Sequence, residues 1–215
     1  MKAIYTNKSK IEIIRGVNIY INAGEMVAIV GPSGCGKSTL LCILGGLDKP
    51  TDGKVFFEDK DLYSMNTSDL NDFRNKNIGV VFQNHNLVEE LTCYENILLP
   101  LIFEKRKISN EIINTIHKHM DMLQIRAVHN RYPYQLSGGE QQRTAIIRAL
   151  IKSPKIIIAD EPTGSLDKKN AMLCMEMFKL IVDKLGVAII IATHDYSVSS
   201  ICQRTLKMSD GFITS

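Results

Sequence analysis

Gly31-Pro32-Ser33-Gly34-Cys35-Gly36-Lys37-Ser38-Thr39 follows the apolar run Met26-Val27-Ala28-Ile29-Val30 and opens a stretch, 37–46, with a helical pattern. The nine residues fit G-x-x-x-x-G-K-[ST] in the strand-loop-helix setting that the pattern requires. Glycines let backbone N–H groups turn inward around phosphate oxygens, and the start of a helix adds its positive end. Gly31, Ser33, Gly34, Cys35, Gly36, Lys37, Ser38 and Thr39 are therefore the expected phosphate cradle. Lys37 is placed to reach the β- and γ-phosphates, and the Ser38 hydroxyl to take Mg²⁺.

Outward from this loop, Ile156-Ile157-Ile158-Ala159 and Val187-Ala188-Ile189-Ile190-Ile191 are further continuous apolar runs. Such runs suit strands of a parallel sheet covered on both faces. Val17-Asn18-Ile19-Tyr20-Ile21 alternates instead and reads as a half-buried strand. Helical stretches at roughly 138–152 and 168–184 complete an α/β alternation. Between about Asn86 and Ser153 no continuous β-branched run occurs. Ser109 to Leu123 places Ile112, Ile113, Ile116, Met120 and Leu123 on one helical face. The expectation is one domain spanning 1–215. It has an α/β P-loop core at about 1–86 and 154–215, a mostly parallel sheet and an N-terminal antiparallel β subdomain. An α-helical subdomain is inserted at about 87–153.

Composition narrows the function. The chain has 215 residues, 45% hydrophobic and 23% charged, with a net charge of +3. That charge is too small for the basic stripe of a nucleic-acid binder, and the one dense basic run, Lys105-Arg106-Lys107, reads as a solvated turn. Five cysteines without a CxxC spacing argue against a zinc site or a disulfide framework and suit a reducing cytosol. His117 and His119, two apart on a helix, face different ways and make a poor metal pair. The start Met1-Lys2-Ala3-Ile4-Tyr5 lacks a signal-peptide core, and the run Val187 to Ala192 is far short of a membrane span. Any spanning part is expected on another chain.

Two more motifs carry chemistry. Ile156-Ile157-Ile158-Ala159-Asp160-Glu161 ends a predicted strand in two acids, aimed at the crevice where parallel sheets bind ligands. Asp160 is the expected Mg²⁺ ligand, and Glu161 the group that polarises an attacking water. Pro162 and Gly164 favour a loop there over a first-turn helix acid. Leu136-Ser137-Gly138-Gly139-Glu140-Gln141-Gln142-Arg143 opens a helix. Ser137 with Glu140 is a capping-box pattern, which needs no function. Two glycines in a first turn nonetheless cost helix stability and suit a backbone that must approach a ligand, here a γ-phosphate.

The ordered set (31–39, 136–143, and Asp160-Glu161-Pro162-Thr163-Gly164-Ser165-Leu166-Asp167) resembles the ATP-binding cassette family over essentially the whole chain. That resemblance implies ATP with Mg²⁺, sandwiched head to tail between two copies. Lys37 and Glu161 of one copy would face Ser137, Gly138, Gly139 and Glu140 of the other. It also implies roles for four more residues. Tyr5 would stack on adenine. Gln83, in Val80-Val81-Phe82-Gln83, would sense Mg²⁺ and the γ-phosphate. Ser165 and Asp167 would lie between subunits, and His194, in Ala192-Thr193-His194-Asp195, would contact the γ-phosphate. Glu140 stands where many members have glutamine. Cys35 stands where serine or alanine is common, and its place before a helix start predicts sensitivity to thiol reagents.

Leu44–Gly53, Leu91–Pro100 and the run through Asp167 are similar to the MacB-like branch, whose ATPases serve lipoprotein release, macrolide export or antimicrobial-peptide handling by mechanotransmission. The expected role is the ATPase partner of a separate transmembrane permease, peripheral on the cytoplasmic face of a bacterial membrane, with no nucleic acid involved. The alternative is the ATPase of a non-transporting complex that regulates cell-wall cleavage at division. A DNA-repair or translation ATPase would bring a long coiled coil or a second cassette, and neither is present. The chain ends soon after Met208, so no C-terminal regulatory domain is expected. The resemblance also implies a groove that receives a short cytoplasmic helix of the permease, and the apolar residues Leu87, Val88, Leu91 and Tyr94, rimmed by Glu89, Glu90 and Glu95, are expected to form part of it.

Overall fold

A computed structural model describes residues 2–5 and 10–214, without the side chains of 3–5, 10, 11 and 197. The chain opens with β1 (Lys2–Tyr5) and β2 (Lys10–Ile14), then β3 (Met26–Val30) and α1 (Lys37–Leu44). There follow β4 (Phe56–Phe57), β5 (Lys60–Asp61), α2 (Thr67–Asn77) and β6 (Ile78–Phe82). Three helices come next, α3 (Cys93–Phe103), α4 (Asn110–Met122) and α5 (Gly138–Leu150). The last part holds β7 (Ile156–Asp160), α6 (Lys168–Leu185), β8 (Ala188–Thr193), α7 (Tyr196–Ser199), β9 (Arg204–Ser209) and β10 (Phe212–Thr214).

Six strands form the main sheet in the order β10-β9-β3-β8-β7-β6, parallel except for β10 at one edge. Because strand side chains alternate, the sheet feeds two cores. Ile157, Ala159, Ile189 and Ile191 join the core that holds α3 to α6, while Ile158, Ile190 and Ala192 pack with Leu40, Leu41 and Ile43 of α1. The helices between β6 and β7 share the first of these cores. Ile97, Leu101, Ile116 and Met120 are fully buried in it, so the helical insertion is seated on the sheet.

Register brings the functional loops into one row. Phe82 pairs with Asp160, Asp160 with Ala192, and Ala192 with Ile29, while Val30 pairs with Thr193. The residues that follow, Gln83, Glu161, His194 and Gly31, leave neighbouring parallel strands at the same edge, where α/β sheets bind ligands.

One expected strand does not form. Val17, Ile19 and Ile21 are half-buried and Asn18 and Tyr20 exposed, as alternation requires, yet the segment joins no ladder. Clefts of about 680 and 230 Å³ are lined by this segment and by residues 53–58. The antiparallel structure outside the main sheet is therefore limited, among the described residues, to the pairs β1–β2 and β4–β5.

Candidate functional site

A cleft of about 410 Å³ opens beyond the end of β3, lined by Ile13, Ser33, Gly34, Gly36, Lys37, Ser38, Thr39 and Glu161. Two glycines are required by the backbone around it. A Cβ on Gly31 would sit 2.1 Å from the Met208 carbonyl oxygen, and Gly36 has φ 106°, the left-handed region that side chains disfavour. Gly36 is also the N-cap of α1, with no side-chain cap and no acid in the first turn. Helices α2 to α6 are each capped by a side chain, from Asn66, Thr92, Ser109, Ser137 and Asp167. Among α1 to α6, α1 alone starts without a side-chain cap, which leaves its first N–H groups to an anion.

Lys37 is buried, and its Nζ donates to the carbonyls of Gly31 (2.8 Å) and Pro32 (3.1 Å) across the loop. It stands 3.9 Å from Glu161 Oε1. The Ser38 hydroxyl donates to Asp160 Oδ1 at 3.0 Å, a pair of hard oxygens suited to a divalent cation. Burial pushes the Asp160 carboxyl above the usual carboxylate range; the Ser38 hydrogen bond opposes this and the adjacent Glu161 adds to it. A cation there would relieve that cost.

Glu161 holds φ 46°, a strained value of about 1–3 kcal/mol for a side-chain-bearing residue. Its N–H donates to Ala192 O at 2.9 Å and its carbonyl accepts from Gly164 N at 3.0 Å, which pin the turn. Oε1 lies 3.0 Å from Nδ1 of the exposed His194, while Oε2 is buried without a partner. A buried acceptor left open beside a phosphate loop is positioned for a water.

Gln83 follows β6 and meets the loop after Glu161. Its side chain packs on Gly164, where a Cβ would lie 2.8 Å from Nε2, and the Ser165 hydroxyl donates to the Gln83 backbone carbonyl at 3.3 Å. Of the three expected metal ligands, Ser38 and Asp160 touch each other, whereas Gln83 is interlocked with the 164–165 loop. The close approach at Gly164 was missed from sequence; the only signal was a glycine two residues after Pro162.

Ser137 caps α5 through a reciprocal box. Its hydroxyl accepts from Glu140 N at 3.3 Å, and Glu140 Oε2 accepts from Ser137 N (2.7 Å) and Oγ (2.9 Å). Burial raises the Glu140 carboxyl, but these bonds with Arg143 and Arg131 nearby bring it below the usual range. None of Ser137, Gly138, Gly139 or Glu140 lines the phosphate cleft of its own chain. Gly138 is exposed and Gly139 lies against Asn170 of α6. Asp167 caps α6, accepting from Asn170 N (2.9 Å) and Nδ2 (2.7 Å), and Ser165 is exposed beside it.

Two expectations change or cannot be placed. The Cys35 side chain is 8% exposed and packs in the α1 core, 3.0 Å from where a Gly31 Cβ would be. Burial shields that thiol, so attack by reagents is expected to be slow. The side chain of Tyr5, expected on adenine, lies outside the described residues.

The ABC transporter family profile matches residues 14–164. The chain is 44% identical over 200 residues to the lipoprotein-releasing system ATP-binding protein LolD of Aquifex aeolicus, covering 93% of this chain and 88% of that one. It is 42% identical over 206 residues to an uncharacterized ABC transporter ATP-binding protein, MJ1508, of Methanocaldococcus jannaschii, covering 96% and 91%. Among solved structures, the dimeric structure of MJ0796, a bacterial ABC transporter cassette, aligns with TM-score 0.88 and 39% identity over 100% of this chain and 94% of that one. A post-hydrolysis dimer of the same cassette, bound to ADP and Pi, aligns with TM-score 0.88 at 38% identity, with the same coverage. Matched in motif, sequence and fold over nearly its full length, this chain belongs to the ABC transporter family as one of its ATP-binding subunits, an ATPase.

Proposed function

We propose that two copies of this chain close head to tail around two ATP molecules and drive a separate, LolD-type membrane permease from the cytoplasmic face. The observation that carries this reading is the split of the site. The phosphate loop and Glu161 share one cleft, while Ser137 and Gly138 form an exposed helix start outside it. A second copy supplies what each cleft lacks. Curated relatives at 38–44% identity bear the lipoprotein-releasing name, which favours that system over the cell-wall alternative. No described helix is long and apolar enough to cross a membrane, in keeping with a peripheral subunit.

In this reading the α1 N–H groups and Lys37 hold the β- and γ-phosphates, Lys37 giving up its loop carbonyls to do so. Ser38 and Asp160 would hold Mg²⁺, which when bound draws charge from the phosphate oxygens. Glu161 Oε2 accepts a hydrogen bond from the attacking water and takes its proton as the water oxygen bonds to the γ-phosphorus and the bridging bond to ADP breaks, releasing ADP and phosphate. His194, bound to Oε1, orients the carboxylate and is exposed enough to reach the γ-phosphate. Ser137 and Gly138 of the other copy complete the cage, Tyr5 covers adenine, and Gln83 with Ser165 and Asp167 links the two halves.

The helical unit at about 87–153 would carry the permease contact. Leu87, Leu91 and Tyr94 are half-buried, Tyr94 against the core beside His117, so they support that surface from below. Its outer face is a cleft of about 400 Å³ that includes Val88, Pro100 and Phe103, with Phe103 80% exposed. An amphipathic helix needs such apolar anchors with a polar rim, here Asn86, Glu104 and Lys152.

The test is light scattering on the Glu161→Gln variant with and without MgATP. The reading expects a monomer that becomes an ATP-bound dimer and stays so. A variant that remains monomeric at saturating ATP contradicts it.

A further inference from the structure

Two consecutive residues after Gln83, His85 and Asn86, have positive φ values of 55° and 49°, costly for residues other than glycine. Both of their carbonyls are gripped by one side chain. Arg148 Nη2 donates to His85 O and Nη1 to Asn86 O, each at 2.6 Å. These are short, charge-assisted bonds from a half-buried guanidinium in the last turn of α5. On the far side the turn is fixed by the fully buried Asn96, which accepts from Val88 N at 2.8 Å and donates to Val88 O at 3.0 Å. Arg148 also walls the 400 Å³ cleft beside Asn86 and Val88. The opposite end of α5 presents Ser137 and Gly138.

We propose that Arg148 is a positioning residue that makes the Gln83 loop follow α5. The inference rests on the assignment of Gln83 to the nucleotide site. One rigid helix then carries, at its start, the residues offered to the partner's ATP and, at its end, the grip on the loop that holds Gln83. When the helix start meets the partner's γ-phosphate, the loop is carried with it, and Gln83 and the docking cleft move together. Lysine cannot replace this grip, because a single ammonium does not present two parallel N–H groups in a fixed fork.

The experiment uses the full chain with a tryptophan reporter, Phe82→Trp, in a protein with no other tryptophan. Phe82 is 39% exposed and adjoins Gln83. Emission, ATP Kd, kcat and thermal melting are measured with Arg148 intact and in Arg148→Lys and Arg148→Met. The expected result is an unchanged Kd, within about twofold, a kcat lower by about tenfold, and loss of the ATP-induced emission change in both variants, with cooperative melting retained. Parent kcat, or an emission change that survives in Arg148→Lys, overturns the proposal. Loss of cooperative melting in both variants overturns it too, since Arg148 would then hold the fold and not the loop. A Gln83→Ala arm separates the premise: parent kcat there removes Gln83 from the mechanism, while the reporter still judges the grip.

Discussion

His194 Nδ1 lies 3.0 Å from Glu161 Oε1, and the second oxygen of that carboxylate is buried with no partner. The histidine thus occupies one lone-pair face of the acid and leaves the other for water. Replacing Glu161 with Gln is expected to lower kcat by about 10²–10⁴ with ATP binding retained. His194→Ala should cost less, about tenfold to a hundredfold, because it removes the orienting partner and leaves the base. Steady-state ATPase assays with a separate ATP-binding measurement check both. Equal losses in the two variants would argue that the pair acts only as a unit.

Cys35 has its thiol in the core of α1. In the native protein, maleimide should label it about 10²-fold or more slowly than in the denatured chain, as read by mass spectrometry over time. Prompt native labelling that ATP prevents would instead place the thiol on the nucleotide face.

His85 and His119 are pushed below their ordinary value of 6.5, in both cases chiefly by burial. The folded state therefore favours their neutral forms, and protonation favours unfolding. Stability should be level above pH 6.5 and fall as pH drops through the lowered folded values. The capping carboxylates Glu95 and Glu140 are held below 4.5, so their contribution is lost only at more acid pH. Urea midpoints between pH 7 and 5 measure the first window, and His119→Gln should flatten the slope. An unchanged slope in that variant would remove His119 as a cause.

Phe103 is 80% exposed at the end of α3, on the rim of the docking cleft. Phe103→Glu should abolish co-purification with the membrane partner while shifting Tm by no more than about 2 °C. Val88→Glu should act in the same direction. Full co-purification of a folded variant would locate the contact elsewhere.

Much of this site was legible because its chemistry sits in contiguous runs. Gly31 to Thr39, Ser137 to Gly139 and Asp160-Glu161 each signal through local spacing, and the buried strands beside them signal through unbroken apolar stretches. What escaped depends on contacts across the chain. Gln83 reads as a strand-end polar residue, but only folding shows it lodged against Gly164. Arg148 is a lone charge in Ala145-Ile146-Ile147-Arg148-Ala149-Leu150, and its two carbonyl partners lie more than sixty residues away. Val17 to Ile21 kept the expected alternation of burial without a ladder, since side-chain period does not place a partner strand within reach.

The central claim is that each ATP site is built from two chains, and mixing two inactive variants tests it most directly. Lys37→Ala disables the phosphate loop. Gly138→Asp puts a charge where the partner's phosphate would sit; a Cβ there meets nothing closer than 3.6 Å, so the fold is spared. Each variant alone should be silent. In a heterodimer both lesions fall in one site and the other site is intact, so a 1:1 mixture should recover up to about a quarter of the parent ATPase rate by random pairing. A mixture as silent as its components would show that both motifs of a site come from the same chain.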